Sequence, residues 1–364
     1  MTDVDVARWR LRSQHLTGPA AEGAEAAVRS LLGVQAENPG QSAWAVAART
    51  ASPAADDLAS LLDDGRVVRT HVLRPTWHYV AAEDVGWLLE LTAPRVRRTT
   101  SAALRTTHGI DERRAEQLGE LVLEALTGRH LSRPEVAELL DQAGHPLTGQ
   151  ALMILLAELE LQGLVVSGPV VEGLHTYALL AERVPAPRRL DREEALAELA
   201  LRYFTGHGPA TVADLSYWAT LTVTDVRAGL AAVSDRLASF EHDGRRFWHA
   251  PGQERPAGPQ PPAAHLLQIL DETYRGYQDS RWVLDSAGAV PRVRETAIGM
   301  VLVDGQLVAA VRRSVTARRV VFELRPYSSW EARALPDVEE AAARYGAFLD
   351  LEPVVRLAGA TSHG

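Results

Sequence analysis

The sequence contains no cysteine and no lysine. The first absence removes disulfides, thiol nucleophiles, iron–sulfur clusters and every cysteine-based zinc site. The second makes all 38 basic residues arginine and leaves the N-terminus as the sole amine, so lysine-imine chemistry is disfavoured. No stretch reaches the roughly 18 apolar residues that cross a bilayer, and Met1-Thr2-Asp3-Val4-Asp5 is not the basic, then apolar opening of a secretory leader. A cytoplasmic protein is expected. Phosphate loops, GxGxxG turns, HExxH pairs and GxSxG elbows are also missing, which removes support for nucleotide hydrolysis, dinucleotide binding, zinc proteolysis and serine hydrolysis. The formal charge of -9 argues against coating nucleic acid by bulk electrostatics, so any DNA contact must come from a local arginine patch.

What is present is enough for a large core. With 364 residues, 46 % hydrophobic and 23 % charged, the chain is long enough for several packed domains. Residues 22 to 34 read as an amphipathic helix broken by Pro39-Gly40, a second helix covers Ala43 to Arg49, and Asp56 to Asp64 is a third, closed by Gly65. Alternating apolar residues from Val67 to Val80 then read as a strand pair. The order recurs. Helices over Asp111 to Thr127, from the capping box at Ser132-Arg133-Pro134-Glu135 to Gln142, and over Thr148 to Gln162, with Leu152, Leu155, Leu156 and Leu159 on one face, precede a strand pair within Leu164 to Leu180. A third copy has helices over Arg192 to Thr205, Thr211 to Trp218 and Thr224 to Val233, then a hairpin turning at Asp243-Gly244.

Three helices followed by a two-stranded wing is the winged helix-turn-helix pattern, and three copies predict an α+β fold of tandem winged helices. Winged helices are expected over residues 1–92, 93–182 and 183–252. Residues 253–364 are then most of a proline-rich linker, which runs from His249 to Ala264 with Pro251, Pro256, Pro259, Pro261 and Pro262, and a small β-barrel with several strand-like runs within Trp282 to Leu324, a hairpin at Asp304-Gly305 and the helix Asp337 to Leu349. The third helix of a winged-helix regulator reads bases with arginine, asparagine or glutamine. Here Thr148 to Gln162 carries Glu158 and Glu160 with no base, Asp56 to Asp64 is acidic at both ends, and Thr224 to Val233 has Arg227 alone; these are scaffold helices. Arginine gathers instead at Arg95, Arg97, Arg98 and Arg105, and at Arg312, Arg313, Arg318 and Arg319. Either cluster can track phosphates or pair with the many carboxylates.

Four segments carry a family likeness: Leu31-Leu32-Gly33-Val34-Gln35-Ala36-Glu37-Asn38-Pro39, Arg69 to His78, Gly208 to Thr211 leading to Tyr217-Trp218, and Asp271-Glu272-Thr273-Tyr274-Arg275-Gly276-Tyr277. They resemble the bacterial winged-helix DNA glycosylases of the AlkZ and YcaQ superfamily. The resemblance implies a C-shaped clamp of winged helices and a β-barrel. It also implies excision of bulky N7-alkylated purines or interstrand crosslinks, in some members as self-resistance to a DNA-alkylating natural product. The expected partner is double-stranded DNA carrying alkylated purines, with no cofactor, no metal, no nucleotide and no membrane. A clamp that encloses DNA needs no second copy, so a nucleoid-associated monomer is expected. Relatives known only as winged-helix DNA-binding proteins keep a non-catalytic, lesion-sensing role open, and a sequence-specific regulator is the weakest alternative.

The family's catalytic signature is Gln, an apolar residue, then Gln or Asp; here it reads Gln35-Ala36-Glu37. A carboxylate there can orient or deprotonate water against the oxocarbenium-like state at C1′. On spacing alone the pair also reads as a helix-capping Gln35 and a solvated Glu37. Arg74, Trp77, His78 and His71 have two readings as well: lining a lesion cleft and contacting DNA, or a buried tryptophan among satisfied histidines. Strand alternation puts His71 and His78 on opposite faces unless Pro75 introduces a bulge, and they are not an i, i+4 metal pair. Tyr274 and Tyr277, three apart, read as packing residues, and Gln278 stands where the family often has lysine.

Overall fold

Polar caps start many of the helices. In the computed structural model, which describes residues 1–291, 299–328 and 334–358, α1 (Asp3–Ser13) opens at Thr2, which accepts from the backbone of Asp5 while Asp5 accepts from Thr2. Then come α2 (Ala24–Leu31), β1 (Val34–Gln35), α3 (Pro39–Ala47), α4 (Ala55–Asp64), β2 (Val67–His71) and β3 (Trp77–Ala81). The Pro39-Gly40 break is a helix start: Pro39 occupies the first turn of α3, where its fixed φ suits a helix and its missing N–H costs nothing. The short β1 pairs with β3, giving a three-stranded sheet of order β1-β3-β2.

Next is α5 (Val85–His108), one helix of 24 residues with Pro94 inside it, followed by α6 (Glu112–Leu126), β4 (Leu131–Ser132), α7 (Arg133–Gln142), α8 (Gly149–Leu161), β5 (Val165–Ser167), β6 (Thr176–Leu179) and α9 (Leu180–Arg183). The expected divisions after residues 92 and 182 therefore run through α5 and α9, not through linkers. The second sheet repeats the first in order, β4-β6-β5. A third set comprises α10 (Arg192–Gly206), α11 (Val212–Trp218), α12 (Val223–Val233) and the hairpin β7 (Ala238–His242) with β8 (Arg245–His249), to which Ala210 adds a single bridge at Trp248.

After a stretch without helix or strand, residues 250 to 263, the chain forms β9 (Ala264–Leu267), α13 (Glu272–Arg275), β10 (Gly299–Val303), β11 (Gln306–Val315), β12 (Arg319–Pro326), α14 (Leu335–Leu349) and β13 (Glu352–Leu357). The region Trp282 to Leu324, expected to hold several strand-like runs, includes residues 292–298, which lie outside the described residues. The order β13-β12-β11-β10-β9 is linear, so the expected barrel is a curled half-barrel, and α14 packs against β9, β10, β12 and β13 where a closed barrel would have further strands. All its neighbours are antiparallel except β12 and β13.

Burial joins these parts. One core gathers β2, β3, α5, α10, α11 and α12; another combines α1 and α3 with the half-barrel and α14; smaller ones lie under the first sheet and within α6 to α8. Exclusion of that apolar surface from water is the main stabilising term. Its consequence for the site is geometric: β1 lies where the first, third and C-terminal parts converge.

Candidate active site

Gln35 is 4 % exposed and held on three sides. Its N–H donates to Glu272 Oε1 at 3.0 Å, its carbonyl accepts from Gln268 Nε2 at 3.5 Å, and its side-chain oxygen accepts from Arg74 Nη2 at 3.0 Å. Two residues on, Glu37 is exposed, and its Oε2 accepts from the Trp77 N–H at 3.2 Å. The Ala36 N–H donates to the Trp77 carbonyl at 2.7 Å, so the Glu37 carboxylate continues, beyond β1, the ladder between the motif and β3. The motif thus presents one buried, oriented amide and one solvent-reaching carboxylate.

Arg74 is brought inward by the β2–β3 turn. Leu73 before it has φ +67°, a left-handed conformation that costs a side-chain-bearing residue energy; burial of Leu73 and the bond from its N–H to Thr92 Oγ1 hold it there. The guanidinium donates to the Arg275 carbonyl at 2.7 Å, to Gln35, and to His78 Nε2 at 3.2 Å. His78 donates from Nδ1 to the Thr76 carbonyl at 2.9 Å, leaving Nε2 as the acceptor for Arg74. Burial, then the charge of Arg74, push the His78 imidazole down to about 3, so it is neutral at pH 7.

Glu272 is the hub beneath. Fully buried, it receives Gln35 on Oε1, with Arg74 3.8 Å from the same oxygen, and on Oε2 Trp218 Nε1 at 2.8 Å and His207 Nε2 at 3.3 Å. Burial by itself raises a carboxyl, but the hydrogen bond from His207 and the charge of Arg74 outweigh it and bring Glu272 down to about 2. Its neighbour Asp271 takes both hydrogen bonds of a buried fork from Arg49, 2.9 and 3.0 Å, and Arg49 also donates to Gln14. The residues around the motif are therefore fixed by ionic hydrogen bonds, not by loose surface contacts.

The other expected site residues divide. Arg74 and His78 are buried and internally bonded, so the structure gives them an internal role in place of the expected DNA contact. His71 and Trp77 are also largely buried: their rings lie 4.3 Å apart, Arg69 covers Trp77 at 4.3 Å, and Glu160 of α8 binds both His71 Nδ1 and Trp77 Nε1. Trp77 is thereby occupied on its faces and edge. His71 and His78 do lie on opposite faces, since Trp77 and not His78 is the cross-strand partner of His71. Arg95 and Arg98 are exposed on α5, whereas Arg97 donates to Glu158 at 2.6 Å. Arg312 and Arg318 are exposed around the β11–β12 turn, Arg319 pairs with Glu352 at 2.8 Å, and Arg313 donates to the Gly40 carbonyl at 2.9 Å and to Tyr345. Arg313 thus ties the half-barrel to the first turn of α3, just after Glu37. Between them lies a cavity of about 210 Å³, lined by Asn38, Gln41, Gln268, Arg312, Arg313 and Phe322 among others.

Sequence reasoning missed Glu272, Asp271, Arg69, Glu160 and His207. Asp271-Glu272 stood in a quoted segment, but buried carboxylates are rare and spacing cannot show what a residue two hundred positions away will donate. The tyrosines of that segment pack as expected: Tyr277 donates to the His207 carbonyl at 2.6 Å and carries Arg10 on its ring face at 3.7 Å. Among the described residues no cluster of three or more histidines and carboxylates is arranged to hold a metal ion.

A family model described as DNA glycosylase AlkZ-like matches residues 28–348. The interstrand DNA cross-link repair glycosylase of Streptomyces sahachiroi is 25 % identical over 248 residues, covering 65 % of this chain and 67 % of that protein. The solved structure of Streptomyces sahachiroi DNA glycosylase AlkZ superposes with a TM-score of 0.79 at 22 % identity, covering 98 % of this chain and 100 % of the other.

Proposed function

The chain belongs to the AlkZ-like DNA glycosylase family, and from that premise we propose that it is a monofunctional glycosylase hydrolysing the N-glycosidic bond of bulky N7-alkylated purines, interstrand crosslinks included. The observation that carries the reading is the pairing, at the end of β1, of an immobilised Gln35 with a solvent-reaching Glu37 two residues on. Water delivers its oxygen to C1′ while Glu37 accepts its proton; the C1′–N9 bond breaks and its electron pair returns to the purine. An N7-alkylated purine is cationic and leaves neutral, so no strong general acid is required. The carboxylate also faces the positive charge that develops on the sugar. With no lysine, the product is an intact abasic site and not an imine-derived strand break.

The three helix–sheet units, read as winged helices closing with the half-barrel into a clamp, supply the DNA-binding surface. Arg95 and Arg98 on α5, Arg312 on β11 and Arg318 on the β11–β12 turn are exposed arginines suited to phosphates. The cavity beside Asn38 and Gln41 gives room for part of the damaged nucleotide. The neighbour that repairs interstrand crosslinks supports this substrate class, and self-resistance to a DNA-alkylating natural product is the role that fits it. The test is incubation with duplexes bearing N7-guanine and N3-adenine adducts of different bulk, then alkaline cleavage at abasic sites. Released N7-adducted guanine, with no strand cleavage before alkali and no borohydride-trapped covalent DNA, is the expected result. No base release from any duplex overturns the enzymatic reading and leaves a lesion-binding protein.

A further inference from the structure

An amide side chain has two ends, and at Gln35 the protein has chosen between them. Arginine can only donate hydrogen bonds, so the atom of Gln35 that meets Arg74 Nη2 at 3.0 Å has to be the oxygen. The choice is over-determined. Arg74 Nη2 also faces His78 Nε2, whose partner nitrogen is committed to the Thr76 carbonyl, and Nη1 is committed to the Arg275 carbonyl. Glu272 lies 3.8 Å from the same guanidinium and holds the Gln35 backbone N–H. A flipped amide would set two NH donors against each other inside a buried cluster, an arrangement that costs a lost hydrogen bond and an unsatisfied donor. The opposite end, Nε2, donates to no protein group among the described residues and is not an enclosed, partnerless atom.

We infer that Gln35 meets the substrate only as a hydrogen-bond donor, through Nε2, and that Arg74 and Glu272 are positioning residues that enforce this orientation. The inference rests on the glycosylase reading for its kinetic consequences but not for its geometry. It divides the motif: Glu37 offers lone pairs and takes a proton, while Gln35 offers N–H to an acceptor atom on the nucleotide being cleaved.

The sharpest test replaces Gln35 by glutamate. Glu at 35 keeps a partner for Arg74 and loses the donor, so Gln35→Glu falls as far in kcat as Gln35→Ala; a Gln35→Glu enzyme at wild-type rate overturns the inference. Arg74→Met frees the amide to turn and lowers kcat about tenfold or more with KM within about twofold, the signature of misplacement and not of lost binding. Adding Gln35→Glu to Arg74→Met brings kcat no lower than Gln35→Glu alone; multiplicative losses show independent roles and refute the coupling. Glu272→Gln follows Arg74→Met in kcat, and since Glu272 also receives Trp218 and His207, failure of that variant to fold leaves the decision with Arg74→Met. A wild type that releases no base points to failure of the glycosylase reading alone. The geometry is then read from the side-chain amide of Gln35 by nitrogen-15 NMR on adding a duplex with an abasic site: a shifted Nε2 resonance in wild type, absent in Arg74→Met, supports it, and an unmoved one overturns it.

Discussion

The first helix–sheet unit and the two that follow use the end of the same short strand in opposite ways. In the second unit β4 ends at Ser132, whose N–H and hydroxyl both donate to the Glu135 carboxylate at the start of α7. In the third, Ala210 takes the place of that strand, and the next residue, Thr211, exchanges hydrogen bonds with Asp214 at the start of α11. In the first unit β1 ends at Gln35, three residues intervene before α3, and the N-cap Asn38 makes no side-chain cap bond. Twice the polar residues at this corner secure a helix, worth about 1 kcal/mol each time. Once they are withdrawn from the helix: Gln35 is turned inward to Arg74 and Glu37 outward to water. Under the proposed function, the difference marks where a helix cap was given up for chemistry within one repeated frame.

Breaking that asymmetry gives the largest expected effect. Glu37→Ala lowers the rate of base release by about 10²- to 10⁴-fold, the usual contribution of a positioned general base, with folding and duplex affinity retained. Glu135→Ala, which removes the acid at the matching corner of the second unit, leaves base release unchanged. Single-turnover kinetics on one N7-adducted duplex measures both; equal losses in the two variants would show that neither corner is special.

Acid sharpens a second contrast, between the units and the junctions that join them. The histidines held neutral lie at junctions: His78 and His207 around Glu272, His175 beside Arg69 and Trp77, and His265 on β9. Burial, with nearby arginines adding to it, depresses them, to about 3 for His78 and His265 and about 4 for His175. Their unfolded values are near 6.5, so below that pH the unfolded chain takes up protons that the native state refuses. Stability therefore falls as pH drops from about 6.5 toward 4, by up to about 1.4 kcal/mol per pH unit for each of His78, His175 and His265, and His207 acts in the same direction. Glu272, depressed to about 2, has the same sign and adds its loss below about pH 4.3. Denaturant midpoints from pH 7.5 to 4 check this. His265→Leu removes one histidine from the slope, and a slope unchanged in that variant contradicts the assignment.

Much of the frame was legible in the sequence because its signals are local. The apolar spacing of Leu152, Leu155, Leu156 and Leu159, the Ser132-to-Glu135 cap, and the Asp243-Gly244 and Asp304-Gly305 turns each act within a few residues. Strands of two residues have no such signal: β1 and β4 are made by their partners, β3 and β6. Pro39 misled because the same residue ends one element and begins another. For the candidate site, family likeness supplied Gln35 and Glu37, while Arg74 and His78 stayed open between a lesion cleft and a buried, satisfied cluster. What turns them inward is the left-handed Leu73 and the distant carboxylate of Glu272, and neither a backbone dihedral nor a contact across two hundred residues is written in composition or period.

The junctions also differ from one another in how closely backbones approach. Between the first and second units contact is made by side chains, with Glu160 reaching His71 and Trp77, and Ser167 Oγ accepting from the Arg69 N–H at 2.8 Å. Between the first and third, α10 crosses α2 so tightly that a Cβ on Gly206 would lie 2.1 Å from the Ser30 carbonyl oxygen. Since a backbone oxygen cannot swing aside, Gly206→Ala forces the two helices apart and costs about 1–3 kcal/mol, the range for overpacking. Thermal unfolding measures it. A neutral result would mean that α10 and α2 can shift without loss.

The smallest effect belongs to the corner that resembles the site without sharing its task. Ser132→Ala removes a hydroxyl that donates to Glu135 and the cap at the start of α7, while the backbone N–H of residue 132 keeps its own bond to that carboxylate. The expected cost is about 1 kcal/mol of stability and no change in base release. The equivalent strand-end change in the first unit, Gln35→Ala, has the reverse profile: kcat falls, while the loss of stability is limited because Gln35 caps no helix and Arg74 Nη2 keeps His78 Nε2 as a partner. Denaturation and single-turnover rates on the two variants together decide the matter, since a helix cap moves the first measurement and a substrate donor moves the second. If Ser132→Ala slowed base release while Gln35→Ala only loosened the fold, the roles of the two corners would have been assigned the wrong way round.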